Sequence, residues 1–184
     1  MRTFVLYTRG VSDSNFDIDN LPLVGRMDLI CRCVSSALYL SYSMRDDARI
    51  FIVMNGPPNP PVTICFDSKS SFYTDEKSIA SLIKKILSSE INDEWKQVET
   101  CRAARKSFQD VLRELDGNVY VLNEEGGSIG KIKDNPIFVL GDNLGIPRNE
   151  EKFALRSGEK VSIGKESYLA SACISVLNWL CDND

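Results

Sequence analysis

Short apolar runs of strand length recur along the chain. Residues 50–54 are uninterrupted and apolar, which is typical of a strand buried on both faces of a sheet. Similar runs, each bounded by polar, glycine or proline residues, occur at 4–7, 62–66, 119–122, 137–140 and 160–163. The pattern predicts a β-strand at each of these positions.

Helical periodicity separates several of the predicted strands. Between residues 26 and 42, apolar side chains recur at steps of three and four, which predicts an amphipathic helix. The same period predicts helices after a cap at Thr74, over 108–115 before Gly117, and from Leu169 onward. Because strands alternate with helices, we expect one α/β domain over 1–184, with ligands at the carboxyl ends of its strands.

Two polar segments connect the predicted elements near the N-terminus. Residues 9–20 are rich in Ser, Asp and Asn and are expected to form a surface loop. Residues 55–61 contain four prolines, which exclude a helix or a central strand and predict a stiff loop.

Composition excludes several classes of function. The chain has 184 residues, of which 43% are hydrophobic, so it is long enough for a substantial core. It has no histidine, which excludes catalysis by Ser-His-Asp or Cys-His sites and zinc sites that contain histidine. The net charge of −4 means that RNA would have to bind a local basic patch.

The cysteines and the N-terminus predict a cellular setting. Six cysteines include no CxxC pair, so we expect no metal site. No stretch resembles a signal peptide, and no window approaches 18 uninterrupted apolar residues. We therefore expect a reduced, cytoplasmic protein that does not enter a membrane.

Two strand exits are candidate ligand sites. Gly141, Asp142, Gly145 and Ile146 follow one strand, and glycines there would let the backbone approach a ligand closely. Residues 161–166 form a second exit, which opens at the same edge if the two strands are parallel. An ordinary turn at the first exit and simple packing for Cys173 remain the alternatives.

Charged residues supply the other candidates. Arg26 and Asp28 begin the first predicted helix, where Asp28 either pairs with Arg32 or faces a substrate. The candidate RNA contacts are basic residues whose alternative role is a solvated face; they are Arg32, Arg102, Arg105 and Lys106.

Three motifs occur in an order that resembles one known family. They are the segment 25–35 (GRMDLICRCVS), the loop 55–62 (NGPPNPPV) and the strand exit 138–146 (FVLGDNLGI). The combination is similar to the TrmY family of tRNA pseudouridine-54 N1-methyltransferases, within the SPOUT superfamily. The resemblance spans nearly the whole chain.

The resemblance implies a SPOUT-type α/β sheet flanked by helices, with a deep trefoil knot at the C-terminal end. It also implies a homodimer that binds S-adenosylmethionine (SAM) in the knot and an RNA substrate, most simply tRNA. The residues that would contact the cofactor are Leu122, Gly141, Asp142, Ile146, Ser162, Ile163, Leu169 and Cys173.

The implied reaction is methylation of N1 of pseudouridine. The Arg26–Asp28 motif would lie near the target base, where Asp28 could accept the N1 proton while Arg26 orients the base or a phosphate. Two alternatives stay open: a SAM-binding homologue without catalysis, and a methyltransferase acting on another RNA such as rRNA. A Rossmann-type nucleotide binder is disfavoured because no strand is followed by GxGxxG.

Overall fold

A computed structural model describes residues 1–183, which form an eight-stranded sheet with helices on both faces. The strands are β1 (Arg2–Thr8), β2 (Ala48–Met54), β3 (Val62–Asp67), β4 (Lys96–Val98), β5 (Cys101–Ala104), β6 (Asn118–Ser128), β7 (Pro136–Gly141) and β8 (Gly158–Ser162). The helices are α1 (Met27–Leu38), α2 (Glu76–Leu87), α3 (Phe108–Glu114), α4 (Arg148–Ala154) and α5 (Ala170–Asp182), with a short 3-10 helix at Ile18–Leu23.

The sheet is mixed, and its parallel part positions the candidate site. The strand order is β4-β5-β3-β2-β1-β7-β6-β8. Strands β2, β1, β7, β6 and β8 are parallel neighbours, whereas β3 is antiparallel to both β2 and β5. The carboxyl ends of β6, β7 and β8 therefore meet at one edge, as expected for the two strand exits above.

The central strands are buried on both faces, which explains their uninterrupted apolar sequences. Successive side chains of a strand point to opposite faces. In β1, Phe4 and Leu6 pack in the layer that contains α1, α2 and α5, whereas Val5 packs in the layer that contains α3 and α4. The rings of Phe4 and Phe138 stack with centroids 5.4 Å apart, joining β1 to β7.

Some element boundaries differ from those expected from sequence. Helix α1 ends at Leu38, not near residue 42, because Tyr39 adopts an extended conformation and forms a bridge with Met44. Asp75, and not Thr74, caps α2, where its side chain accepts a hydrogen bond from the Ser78 N–H at 2.9 Å.

The segment 9–20 is only partly a surface loop. Ser12 and Phe16 are buried, and Phe16 belongs to the core beside α1.

Within residues 1–183, none of the helices is long and apolar enough to cross a membrane.

Candidate active site

A cavity of about 540 Å³ opens where β7 and β8 end and where β6 stops pairing with β7 after Val121. Seven of the eight cofactor-contact residues named from sequence line it; they are Leu122, Gly141, Asp142, Ser162, Ile163, Leu169 and Cys173. The eighth, Ile146, is not among the lining residues and instead packs against the core layer beside α3 and α4. Strand exits that lie far apart along the chain thus meet around one cavity.

The loop 141–146 folds tightly back over the end of β7. A Cβ atom on Gly141 would lie 2.4 Å from the carbonyl carbon of Gly145 and 2.6 Å from the backbone nitrogen of Ile146. Gly145 has a φ of +72°, which favours glycine. Both glycines are therefore required by the path of the backbone along the cavity wall.

Asp142 anchors this loop as a hydrogen-bond acceptor. Its buried carboxylate accepts hydrogen bonds from the backbone N–H groups of Arg9, at 2.8 Å, and Leu144, at 3.0 Å. The Arg9 guanidinium pairs with it at 2.5 Å. Because its oxygens already have partners, Asp142 shapes the cavity wall and is a poor candidate for binding a ligand through its side chain.

The third wall of the cavity is the turn between β8 and α5. The Ser162 hydroxyl accepts a hydrogen bond from the Gly164 N–H at 3.1 Å, which closes the turn. Leu169 immediately precedes α5, and burial raises the pKa of the Cys173 thiol one turn later. Cys173 therefore contributes a neutral thiol to the cavity wall.

The Arg26–Asp28 motif lies beside the cavity, next to Leu29, which lines it. Arg26 has a φ of 58°, a left-handed conformation that is uncommon outside glycine and concentrates at functional sites. Its side chain forms two hydrogen bonds with the buried Asp28 carboxylate, at 2.9 and 3.0 Å. Arg32 also donates to Asp28, at 2.7 Å, so the pairing expected from sequence is present.

The two arginines determine the charge state of Asp28. Hydrogen bonding to Arg26 lowers the pKa of the Asp28 carboxyl, and Arg32 lowers it further against the opposing effect of burial. A group whose pKa lies below its usual range is a weak base at neutral pH. Of the two possible roles of Asp28, the geometry therefore favours orienting Arg26 and disfavours accepting a proton.

The other basic residues named from sequence do not converge on the cavity. Lys106 pairs with Glu114 at 2.6 Å, Arg32 also contacts Glu76, and Arg102 lies over the Trp95 ring. Arg102 lies in β5, four strands away from β7, which corresponds to about 19 Å across a sheet.

Arg105 is placed differently from these residues. It follows the carboxyl end of β5, which faces the same edge of the sheet as the cavity. Its guanidinium donates to the Asn59 carbonyl at 2.8 Å and so braces the proline-rich loop.

Two acidic residues of the cavity lie in the strand exits considered from sequence but were not named there as cofactor contacts. Glu124 and Glu166 both line it. Each is exposed and lies in a polar stretch without periodicity, so no local pattern marks it.

Comparison with known proteins decides the family. A family model described as "Putative SAM-dependent RNA methyltransferase" matches residues 1–184. The chain belongs to this family. It is 39% identical to a protein from Thermococcus kodakarensis named tRNA (pseudouridine(54)-N(1))-methyltransferase, over 98% of both chains. It is 38% identical to a protein of the same name from Methanocella arvoryzae, over 99% of both.

A solved structure has the same fold as this chain. Nep1 from Archaeoglobus fulgidus, crystallised with S-adenosylhomocysteine (SAH), superposes with a TM-score of 0.65. The alignment covers 99% of this chain and 97% of Nep1, at 14% sequence identity.

The cavity fits the cofactor of the family, SAM. Its volume lies in the range of small-molecule sites, about 300–1,000 Å³. The described residues that line it include Glu124 and Glu166 but no Lys or Arg, which suits a ligand with a sulfonium and an ammonium group; the third acidic residue, Asp142, is paired with Arg9. The close approach of Gly141 to the backbone of Gly145 and Ile146 holds the loop tightly at the cavity wall. We call residues 141–146 the donor loop.

Proposed function

We propose that the protein transfers a methyl group from SAM to N1 of pseudouridine at position 54 of tRNA. Two relatives that match nearly the whole chain carry that name. The observation that supports the proposal most directly is the meeting of three strand exits around one cavity, with Arg26 and Asp28 beside it.

In this proposal the cofactor lies against residues from all three exits. Leu122, Gly141, Ile163, Leu169 and Cys173 would contact it, and the apolar members would exclude water from the reacting atoms. SAM supplies an electrophilic methyl group on a positively charged sulfur.

The RNA side of the proposal rests on the segment 25–28, which we call the RNA-side turn. Arg26 would orient the target base or a neighbouring phosphate, because its guanidinium is only partly exposed and is held by Asp28. Transfer would form the bond from N1 to the methyl carbon as the bond from that carbon to sulfur breaks, which leaves SAH, and the N1 proton would pass to the solvent. Correct placement of the two reacting atoms accounts for most of the rate. Arg105 and the proline-rich loop extend the contact surface along the same edge.

Methylation of a defined RNA pair tests the proposal. The purified protein is incubated with SAM labelled in the methyl group and with two tRNAs that differ only in having pseudouridine or uridine at position 54. We expect label in the pseudouridine tRNA alone, since uridine presents carbon and not N–H at the corresponding ring position.

Three outcomes would contradict the proposed reaction. Equal labelling of both tRNAs would place the methyl group elsewhere in the RNA. Labelling of rRNA but not of either tRNA would identify another substrate. Absence of labelling despite measurable SAM binding would indicate a binding protein without catalysis.

We propose further that the protein is a homodimer formed through the outer face of α5. Three large apolar residues on this helix or at its start are exposed, namely Leu169, Val176 and Trp179, with Trp179 63% exposed. Tyr168 and Leu144, at the mouth of the cavity, extend the apolar surface. Positions 169, 176 and 179 share one face of a helix by their spacing, and an exposed apolar face of this kind usually marks an interface.

Replacement of Trp179 by glutamate is expected to convert the dimer to a monomer, because the new charge would be buried in the interface. Light scattering during gel filtration measures the mass directly. Tyr73→Glu is a matched control, since Tyr73 is 79% exposed and precedes α2, away from α5. A monomeric wild type, or a dimer that survives Trp179→Glu, would contradict this arrangement.

We also propose that the C-terminal part of the chain forms the deep trefoil knot expected from the resemblance. The order β7-β6-β8 and the packing of α5 against α1 support this proposal. We propose that residues 1–184 work as one domain in the cytoplasm, where tRNA is available.

A further inference from the structure

The segment that leaves β1 is the point at which two other loops are fixed. The backbone N–H groups of Asn55 and Gly56 donate to the carbonyls of Thr8, at 2.8 Å, and Gly10, at 2.9 Å. The proline-rich loop is therefore hydrogen-bonded to residues 8–10, which we call the β1 exit.

The RNA-side turn also packs directly on the β1 exit. A Cβ atom on Gly25 would lie 2.7 Å from the Arg9 carbonyl oxygen, and one on Gly56 would lie 2.3 Å from the same atom. Gly25 has a φ of +56°. The two loops thus approach the Arg9 backbone more closely than any residue with a side chain would allow.

Arg9 connects this assembly to the donor loop. Its backbone N–H and its guanidinium bind the two oxygens of the Asp142 carboxylate, at 2.8 and 2.5 Å. The same guanidinium nitrogen lies 3.3 Å from the Gly145 carbonyl oxygen. The Asp142 side chain is only 3% exposed, whereas that of Arg9 is 37% exposed. Arg9 therefore connects the buried Asp142 in the cavity wall to the protein surface.

The charges of the two loops also interact. Hydrogen bonding to Asp28 raises the pKa of the Arg26 guanidinium, and the negative charge of Asp142 adds to this effect. Arg9 and Arg26 are thus two cations that share the field of Asp142. Movement of either side chain changes the electrostatic environment of the other.

We propose that Arg9 is a positioning residue that couples the donor loop to the RNA-side turn, so that cofactor and RNA each strengthen the binding of the other. This inference rests on the proposed function, because it takes RNA as the ligand beside Arg26. Arg9 holds the donor loop in place through Asp142 and Gly145, and its backbone holds the loop that presents Arg26. A ligand that orders one loop lowers the cost of ordering the other.

Binding measurements test the coupling without turnover. Titration calorimetry gives the Kd of SAH for the wild-type protein, alone and with saturating pseudouridine-54 tRNA. Coupling must be reciprocal, so the Kd of the tRNA is also measured with and without SAH. We expect each ligand to lower the Kd of the other by about fivefold or more, where fivefold is the lower end of typical allosteric coupling.

The variants separate coupling from simple damage to the fold. Arg9→Ala should weaken SAH binding by about tenfold, because a buried carboxylate loses its charged partner. The Kd of SAH measured without tRNA and the Kd of SAH measured with tRNA should then be nearly equal, because the link between the two loops is lost. Arg9→Lys retains the charge opposite Asp142 and should restore part of the coupling. Asp142→Asn removes the charge from the other side and should reduce the coupling in the same way.

Arg113→Ala is the matched control. Arg113 also pairs with an aspartate, Asp110, at 2.8 Å, but it lies on α3, outside the cavity lining. It should leave both Kd values and their ratio unchanged.

Two results would overturn the inference. The first is a wild-type protein in which tRNA and SAH bind independently. The second is an Arg9→Ala variant that binds both ligands more weakly but keeps the wild-type ratio, which would reveal a purely structural role. Failure of methyl transfer to tRNA would contradict the proposed reaction but leave these binding results interpretable.

Discussion

Gly141→Ala is expected to reduce kcat/KM for methyl transfer by about 100-fold, because displacement of a positioning element by about 1 Å costs that much. The added Cβ would lie 2.4 Å from the Gly145 carbonyl carbon, which is backbone and has no rotamer to adopt. The donor loop must therefore move away from β7. We also expect weaker binding of SAH, measured by titration calorimetry.

The same substitution at Gly127 provides the control. A Cβ on Gly127 meets nothing within 4 Å, and the residue lies on the outer part of β6. Gly127→Ala should retain wild-type affinity and rate. If Gly141→Ala also binds SAH like the wild type, the tight backbone approach at β7 does not shape the cofactor site.

Asp28→Ala is expected to reduce kcat by about 100-fold or more, since Arg26 then loses both hydrogen bonds that fix its guanidinium. The binding of SAH should change little, because Asp28 does not line the cavity. Asp28→Asn keeps the shape but loses the negative charge between two arginines, and it should be nearly as slow. Single-turnover assays with pseudouridine-54 tRNA measure the rate.

The dependence of the rate on pH distinguishes the two roles of Asp28. Its lowered pKa keeps the carboxylate ionised above the usual aspartate range, so its contribution is fully present there and is lost only as pH falls through that lowered pKa. We therefore expect that the pH–rate profile of the wild type has no acidic limb between pH 5 and 8 that is absent from the profile of Asp28→Asn. Such a limb would identify Asp28 as the base instead.

A second aspartate provides the comparison for this substitution. Asp19 pairs with Lys77 at 2.6 Å at the protein surface, with 75% of its side chain exposed. Asp19→Asn should retain wild-type kinetics. An equal loss of rate in both variants would indicate a general effect of charge and not a specific role for Asp28.

The strongly periodic parts of the fold could be predicted from sequence. Continuous apolar runs marked the strands that are buried on both faces, and steps of three and four marked α1, α2, α3 and α5. Strands β4 and β5 were missed because they have three and four residues, and two of the residues in β4 are exposed. Helix α4 was missed because Ala154 is its only buried residue.

The candidate site was predictable one loop at a time but not as an assembly. Glycines after an apolar strand marked the donor loop, and parallel strands placed two exits at one edge. The link between Arg9 and Asp142 crosses 133 positions of the chain, and local patterns contain no information about such a pair. The position of Ile146 outside the cavity lining could not be predicted for a related reason, since only the path of the turn determines which side chains face the cavity.

The pairing of β1 with β7 has a consequence for synthesis on the ribosome. Thr3 is the partner of Ile137, so one edge of the first strand made has no neighbour until 134 further residues have been added. At usual elongation rates this interval lasts about 7 to 27 s. During that time the nascent chain exposes an unpaired apolar edge, a situation in which association with chaperones protects against aggregation. The cavity is thus completed only after β7 and the elements that follow it have been made.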